Sequence, residues 1–182
     1  MTRNLQRLIS GGFVILGYNK YMEKDVRQAL DDIDTVNPFA TYLSDSTLSR
    51  VGGWIDTGSY VLNAIVSGSI HGGIPKGRVT MLAGESMTGK SLFVMKILAS
   101  AQKEGLIPVI FDTENAIDPE GAERLGLDVK NVKYVPCISI EQTRNALYKF
   151  LTTVKEKKLE GKFIIAIDSL GNLQSELSLA RM

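Results

Sequence analysis

Cysteine and histidine are almost absent from this chain. Its 182 residues include one cysteine, Cys137, and one histidine, His71. A single cysteine excludes an internal disulfide, and a Cys/His zinc site needs more of these two residue types than the chain has. The sequence therefore predicts a domain that is held together by its hydrophobic core, and a reducing, cytoplasmic environment suits it.

A strong net charge and a long apolar run are missing as well. The 21 Lys and Arg residues and 20 Asp and Glu residues leave a formal charge of +1. No global basic field indicates nucleic acid, although a local basic face would not show in this sum. The apolar residues 8–17 contain three glycines and are too short to span a bilayer. We therefore expect no membrane association and interpret residues 1–21 as a flexible or spurious extension.

The remaining sequence is organised as an N-terminal segment and a core. Residues 22–60 contain a short acidic helix at 22–34 and then linker and loops, and residues 61–182 form the core. Apolar runs predict strands at residues 78–83, 107–111, 132–135 and 163–167. Apolar periodicity predicts helices at residues 90–104, at 119–125, and from a Ser139 cap to Gly161. This alternation predicts an α/β fold with a mostly parallel sheet flanked by helices.

One motif carries most of the chemical information. It matches the pattern G-x-x-x-x-G-K-S and comprises Gly84, Glu85, Ser86, Met87, Thr88, Gly89, Lys90 and Ser91. In such a loop, backbone N–H groups wrap the β-phosphate of ATP and the positive end of the following helix faces the phosphates. Lys90 is expected to reach the β- and γ-phosphates, and Ser91 to ligate Mg²⁺. The alternative is a glycine-rich turn that holds no ligand.

Acidic residues follow two of the predicted strands. Asp168 ends the apolar run of residues 163–167, where an acid can hold the water shell of Mg²⁺. Asp112 and Glu114 lie just beyond residues 107–111, where either carboxylate can polarise a water for attack on the γ-phosphate. Ordinary loop acids that cap the next helix are the alternative, and spacing alone does not decide between these two.

Three separated motifs resemble the RecA family of recombinases. The stretch FDTENAIDP at residues 111–119, with RLGLD at 124–128, resembles the RecA segment that follows its phosphate loop. The stretch IDSLGNL at 167–173 looks like the same region of UvsX, the phage-type RecA relative. The approach to the phosphate loop is similar in both, at residues 56–59, 72–75 and 76–78.

The resemblance implies a RecA-like P-loop NTPase core, bound to ATP and Mg²⁺, in a protein that forms filaments on single-stranded DNA and exchanges strands in recombination and repair. Glu114 matches the family's catalytic glutamate, and Lys90 matches its phosphate-loop lysine, which we also expect to be catalytic. Asp118 matches an acid beside the adenine, and a helix N-cap role for it is compatible with that. Asp168 and Ser169 match the Mg²⁺-side acid and its hydroxyl neighbour. The expected location is the cytoplasm, or the host cytoplasm if the protein is phage-encoded.

The chain also departs from the family pattern. Gly121 stands where the bacterial enzymes place a tyrosine against the adenine. The family's two DNA-binding loops, its γ-phosphate-sensing glutamine and its last strands lie beyond Met182, so the resemblance implies an incomplete, truncated core. Phe39 resembles the hook with which recombinases grip the next subunit of a filament, and packing of Phe39 on its own core is the alternative.

Two other functions stay open from the sequence. One is a different RecA-fold motor, such as a replicative helicase domain or a clock-type ATPase. The other is a nucleotide-binding interaction module without catalysis, which the intact Lys90, Ser91, Glu114 and Asp168 disfavour. The stretch at residues 112–119 favours the recombinase.

Overall fold

The structure is a computed structural model that describes residues 24–37, 39–46 and 50–181. It divides into two compact units, Met1–Arg50 and Val51–Met182. The first unit contains helix α1 at Lys24–Val36, which confirms the helix predicted at 22–34. The extension predicted at residues 1–21 lies outside the described residues. Among the described residues, no helix is both long enough and apolar enough to cross a membrane.

The second unit opens with a small antiparallel pair. Strand β1 at Trp54–Ile55 pairs with β2 at Ile74–Pro75, and helix α2 at Tyr60–Ser67 lies between them in sequence. The hydroxyl of Ser59 accepts the Leu62 N–H and caps α2. Residues 51–60, which the sequence assigned to the linker, therefore belong to the same compact unit as the core.

A parallel three-stranded sheet lies at the centre of this unit. Its strands are β3 at Ile107–Asp112, β4 at Lys133–Pro136 and β5 at Phe163–Asp168, in the order β4-β3-β5. The other helices are α3 at Lys90–Lys103, α4 at Pro119–Arg124, α5 at Ile140–Glu156 and α6 at Glu176–Leu179. Two 3₁₀ turns, Val129–Asn131 and Leu170–Asn172, complete the unit. The predicted α/β class with a parallel sheet flanked by helices is confirmed.

The two faces of β3 are buried in two different clusters. Ile110 faces one side and packs with Met95 and Leu98 of α3. Val109 and Phe111 face the other side, where α5 covers them. Successive side chains of a strand point to opposite faces, so an unbroken apolar run needs helices on both. Packing of helices on both faces fixes the carboxyl ends of the strands, after which the predicted site residues follow.

Two helix ends show how local signals compete. Gly105 follows α3 with a left-handed φ of 84°, which is typical of a glycine that ends a helix. The prediction that Gly161 ends α5 is wrong, since α5 ends at Glu156. Lys158 adopts a left-handed φ of 53°, and the Leu159 N–H donates to the Val154 carbonyl. The chain thus reverses before it reaches the glycine.

The prediction of a strand at residues 78–83 is also wrong. This segment pairs with no strand among the described residues, and it leaves Val79 fully exposed and Met81 78% exposed. Leu82 alone of the segment packs against the buried core, beside Ile97 of α3. A strand needs a hydrogen-bonded neighbour, and the described sheet ends at β5. An apolar run therefore did not suffice to make this segment a strand.

Candidate nucleotide-binding site

The phosphate loop, residues 84–89, leads directly into α3. Gly89 caps the helix with a left-handed φ of 86° and no side-chain contact to the first turn. Its carbonyl accepts the Phe93 N–H, so α3 is regular from Lys90 onward. The first N–H groups of a helix have no partner within the helix and carry its positive dipole end. The loop therefore ends at the first backbone N–H groups of α3, which can donate hydrogen bonds to an anion.

Two side chains of the loop converge on one carbonyl. The Thr88 hydroxyl donates to the Glu85 carbonyl over 2.8 Å, and the Lys90 ammonium donates to the same oxygen over 2.6 Å. A side chain at Gly84 would begin 3.1 Å from the Thr88 hydroxyl, so the loop is tightly curved there. Lys90 thus folds back over the loop.

A cleft of about 210 Å³ gathers several predicted residues that are far apart in sequence. Its wall includes apolar side chains of α3 and α4, among them Leu92, Met95 and Leu125. The polar residues that line it come from four places in the chain and are Ser91, Asp112, Glu114, Asp118 and Asp168. Residues 84–90 do not line it, and Ser91 at their end connects the loop to the cleft.

The sheet explains why these carboxylates meet. Asp112 and Asp168 are paired in register at the carboxyl ends of β3 and β5. Just beyond, the Thr113 N–H donates to the Asp168 carbonyl over 2.9 Å. The Thr113 hydroxyl donates to the Ser169 carbonyl over 2.7 Å and accepts the Ser169 N–H over 3.0 Å. These three hydrogen bonds join the loops after β3 and β5 directly. The peptide bond between Asp168 and Ser169 is cis.

Asp112 and Glu114 occupy different environments. Asp112 is buried, with 1% of its surface exposed, and accepts the N–H groups of Glu114 and Asn115 over 3.0 and 2.9 Å. The Tyr134 hydroxyl donates to its other oxygen over 3.0 Å. The Glu114 carboxylate instead accepts the Ser169 hydroxyl over 3.1 Å at the cleft. Of the two alternatives for polarising a water, this geometry favours Glu114.

The donor set of the cleft fits Mg²⁺. The Ser91 hydroxyl and the Asp168 carboxylate are oxygen ligands, which this ion prefers. Within the described residues, no group of three or more His, Cys, Asp or Glu side chains is placed to hold a metal. Mg²⁺ usually keeps several waters and shares one or two carboxylates with substrate phosphates. Such sparse protein ligation suits an ion that arrives with a nucleotide.

Asp118 caps α4 in the structure. Its two carboxylate oxygens accept the N–H groups of Glu120 and Gly121 over 3.1 and 2.9 Å. A side chain at Gly121 would begin 2.7 Å from one of these oxygens, so the Asp118 carboxylate would have to shift to admit it. The expected N-cap role is thus present, while contact of Asp118 with an adenine stays a prediction.

Comparison with known proteins decides the family. A profile of the RecA N-terminal domain matches residues 24–176. The chain belongs to the RecA family. The match spans α1 and every strand of the parallel sheet, so the family assignment covers both compact units of the structure.

RecA proteins of several bacteria are similar to this chain. Protein RecA of Chlorobium chlorochromatii is 34% identical over 125 residues, which are 69% of this chain and 33% of the relative. Protein RecA of Aquifex aeolicus is 45% identical over 78 residues, 43% of this chain and 22% of the relative. Protein RecA of a Nostoc species is 39% identical over 90 residues, which are 50% of this chain and 24% of the relative. The aligned part thus spans at most a third of these relatives.

Phe39, the predicted filament contact of this RecA-family chain, lies in the first compact unit. Its side chain is 71% exposed, and its N–H donates to the Asn37 side-chain oxygen over 3.0 Å. Its role as a hook and the alternative, in which Phe39 packs on its own core, both stay predictions.

Sequence reasoning missed two residues that build the site of this RecA-family protein. Thr113 joins the loops after β3 and β5, and Tyr134 reaches Asp112 from the neighbouring strand β4. Thr113 had a weak signal, since it stands between two acids that the motif singles out. Tyr134 had none, because a tyrosine in an apolar strand reveals nothing about the partner of its hydroxyl.

Proposed function

We propose that this protein provides the ATP-binding and ATP-hydrolysing core of a recombinase that forms filaments on single-stranded DNA and promotes strand exchange. The observation that carries the proposal is the cleft where Ser91, Glu114 and Asp168 meet at the end of the phosphate loop. Membership of the RecA family and relatives named Protein RecA support it. Because those relatives are matched over at most a third of their length, the activity of the whole protein is part of the proposal.

Each site residue has a defined task in this proposal. The backbone of residues 84–91 binds the β-phosphate, and Lys90 neutralises charge on the β- and γ-phosphates. Ser91 and Asp168 hold Mg²⁺, which offsets the charge that develops on the phosphate oxygens. Glu114 orients and polarises the attacking water, supported by its contact with the Ser169 hydroxyl.

We expect few protein contacts to the adenine. Asp118 borders the adenine in the proposal, at the mouth of a cleft whose walls are Leu92, Met95 and Leu125. At Gly121 there is no aromatic ring to stack on the base. Most of the binding free energy should therefore come from the phosphates and Mg²⁺.

We also propose how the chain is organised around this site. Residues 1–21 are an extension, and residues 22–60 an N-terminal segment and linker whose last part, residues 51–60, lies in the second compact unit. Residues 61–182 are the ATPase core. Phe39, exposed in the first unit, contacts the next subunit of a homo-oligomeric filament. From the likeness of the stretch at 167–173 we also propose a relationship to the phage-type UvsX proteins, with a role in the cytoplasm or in that of a host.

The test is Mg²⁺-dependent ATP hydrolysis by the natural protein at its full length (the full polypeptide), with any residues that follow Met182, measured with and without single-stranded DNA. We expect turnover that DNA stimulates, and that chelation of Mg²⁺ with EDTA abolishes. DNA binding, followed by fluorescence anisotropy, should weaken steeply between low and physiological salt, since phosphate contacts release counterions. ATP turnover that DNA leaves unchanged, or no turnover at all, would contradict the proposed function.

A further inference from the structure

The loop that carries Glu114 is held from inside by one buried carboxylate. Asp112 uses one oxygen to accept the N–H groups of Glu114 and Asn115, and the other lies 3.4 Å from the Ile117 N–H. Asn115 has a left-handed φ of 52°, which asparagine tolerates better than most residues. The path of this loop therefore depends on the orientation of the Asp112 carboxylate.

Tyr134 fixes that orientation from the next strand. In the β3–β4 ladder Tyr134 is the partner of Ile110, so its side chain extends along the sheet toward the carboxyl end of β3. Its hydroxyl donates to Asp112 Oδ2 over 3.0 Å and lies 3.4 Å from the Asn115 side-chain oxygen. While Oδ2 is held by the phenol, Oδ1 stays aligned with the N–H groups of Glu114 and Asn115.

We propose that Tyr134 is a positioning residue for Glu114, acting through the Asp112 carboxylate. This assignment rests on the proposed function, in which Glu114 orients the attacking water. Glu114 is then fixed at two places, by its backbone N–H on Asp112 and by its carboxylate on the Ser169 hydroxyl. Tyr134 is not among the residues that line the cleft, so it acts on Glu114 without bordering the nucleotide site.

The proposal separates turnover from binding. A positioning residue affects the rate of the chemical step, since a small displacement of a catalytic group is costly, about 10²-fold for 1 Å. Nucleotide binding in the proposal relies on the phosphate loop and on Ser91 and Asp168, whereas the Tyr134 hydroxyl contacts Asp112 and Asn115. Loss of a merely structural hydrogen bond would lower stability and would not change kcat selectively.

The experiment replaces Tyr134 with phenylalanine in the full polypeptide, with Tyr148→Phe as the control. Tyr148 lies on α5 and is 73% exposed. We expect Tyr134→Phe to lower kcat for ATP about tenfold while KM changes less than about twofold. Hydrogen exchange at the amides of Glu114 and Asn115, followed by NMR, should become faster. Tyr148→Phe should leave both measurements unchanged.

A double-mutant cycle with Asp112→Asn shows whether Tyr134 acts through Asp112. If it does, removal of the Tyr134 hydroxyl has a smaller effect on kcat in the Asp112→Asn background than in the wild type. Additive effects, an unchanged kcat in Tyr134→Phe, or a rise in KM alone would overturn the assignment. Absence of turnover in the wild type would instead contradict the proposed function, and the exchange rates would then still report whether Tyr134 holds the loop.

Discussion

One loop of this protein borders the cleft and another ends beside it at Ser91, and they are built in opposite ways. The loop after β3, residues 113–117, is tied to its surroundings by the buried Asp112 carboxylate and by the Thr113 hydroxyl. The phosphate loop, residues 84–89, is almost entirely exposed. Its side-chain contacts include those of Thr88 and Lys90 with a carbonyl of the same loop.

The difference separates two kinds of contribution to function. Residues 113–117 are positioned by the protein itself, so their anchors should contribute to stability and to the rate of the chemical step. The phosphate loop presents backbone donors, and Lys90 after it an ammonium group, to a ligand, so changes there should affect the nucleotide and its phosphates more than stability. Substitutions chosen from each loop can test this division.

The largest expected effect is on turnover, at the tip of the anchored loop. Glu114→Gln should lower kcat for ATP about 10²–10⁴-fold, because the amide cannot polarise the attacking water as a carboxylate does. ATP affinity should stay close to that of the wild type. Steady-state hydrolysis and isothermal titration calorimetry on the same preparations measure the two quantities.

The matched control for that substitution is Glu120→Gln, whose side chain is 86% exposed on α4. It removes the same charge from the same region without touching the cleft lining. Wild-type turnover in Glu114→Gln would mean that another group acts on the water, and Asp112 would be the next candidate.

A smaller effect is expected on stability, where one substitution for each loop allows a direct comparison. Asp112→Ala should lower the free energy of unfolding by about 3 kcal/mol, because it leaves buried N–H groups and the Tyr134 hydroxyl without their charged acceptor. Thr88→Ala removes an exposed hydrogen bond of the phosphate loop and should change the free energy of unfolding by less than about 0.5 kcal/mol. Urea unfolding of both variants is the measurement, and equal losses would contradict the division between the loops.

The smallest expected effect is a change in the titration of Tyr134. Partial burial, and then the hydrogen bond to the Asp112 carboxylate, raise the pKa of this phenol above its ordinary value. The neutral phenol is thus favoured in the folded state, so its contribution to stability is present below about pH 10 and is lost as the pH rises through the raised pKa. Ultraviolet titration of tyrosinate should show one phenol shifted back toward its ordinary pKa in Asp112→Asn. An unchanged titration curve would place the phenol away from Asp112.

Much of the fold followed from the sequence because its signals are local. The strands at Ile107–Asp112 and Phe163–Asp168 agree closely with the apolar runs, since strands covered on both faces need side chains of that kind throughout. The Ser139 cap of α5 was equally readable, as its hydroxyl accepts the Gln142 N–H three residues on. The segment 78–83 shows the limit, because an apolar run does not reveal whether another strand lies beside it.

The site divides in the same way. The sequence led to Ser91, Glu114, Asp118 and Asp168, which line one cleft. The parallel register of β3 and β5 accounts for the proximity of Glu114 and Asp168. The hydrogen bond from Tyr134 to Asp112 was out of reach, because it depends on the register between two strands and on how far a phenol extends. Long-range polar contacts of this kind have no signature in the spacing of residues along the chain.

Calorimetric titration of the protein with Mg-ATP, compared with Lys90→Ala, tests the central claim most directly. Lys103→Ala provides the control, since Lys103 is an exposed lysine in the last turn of the same helix. We expect Lys90→Ala to weaken ATP binding about tenfold or more, because a charge-assisted contact to the phosphates is lost, while Lys103→Ala binds as the wild type does. Equal affinity of the wild type and Lys90→Ala for Mg-ATP would contradict the account.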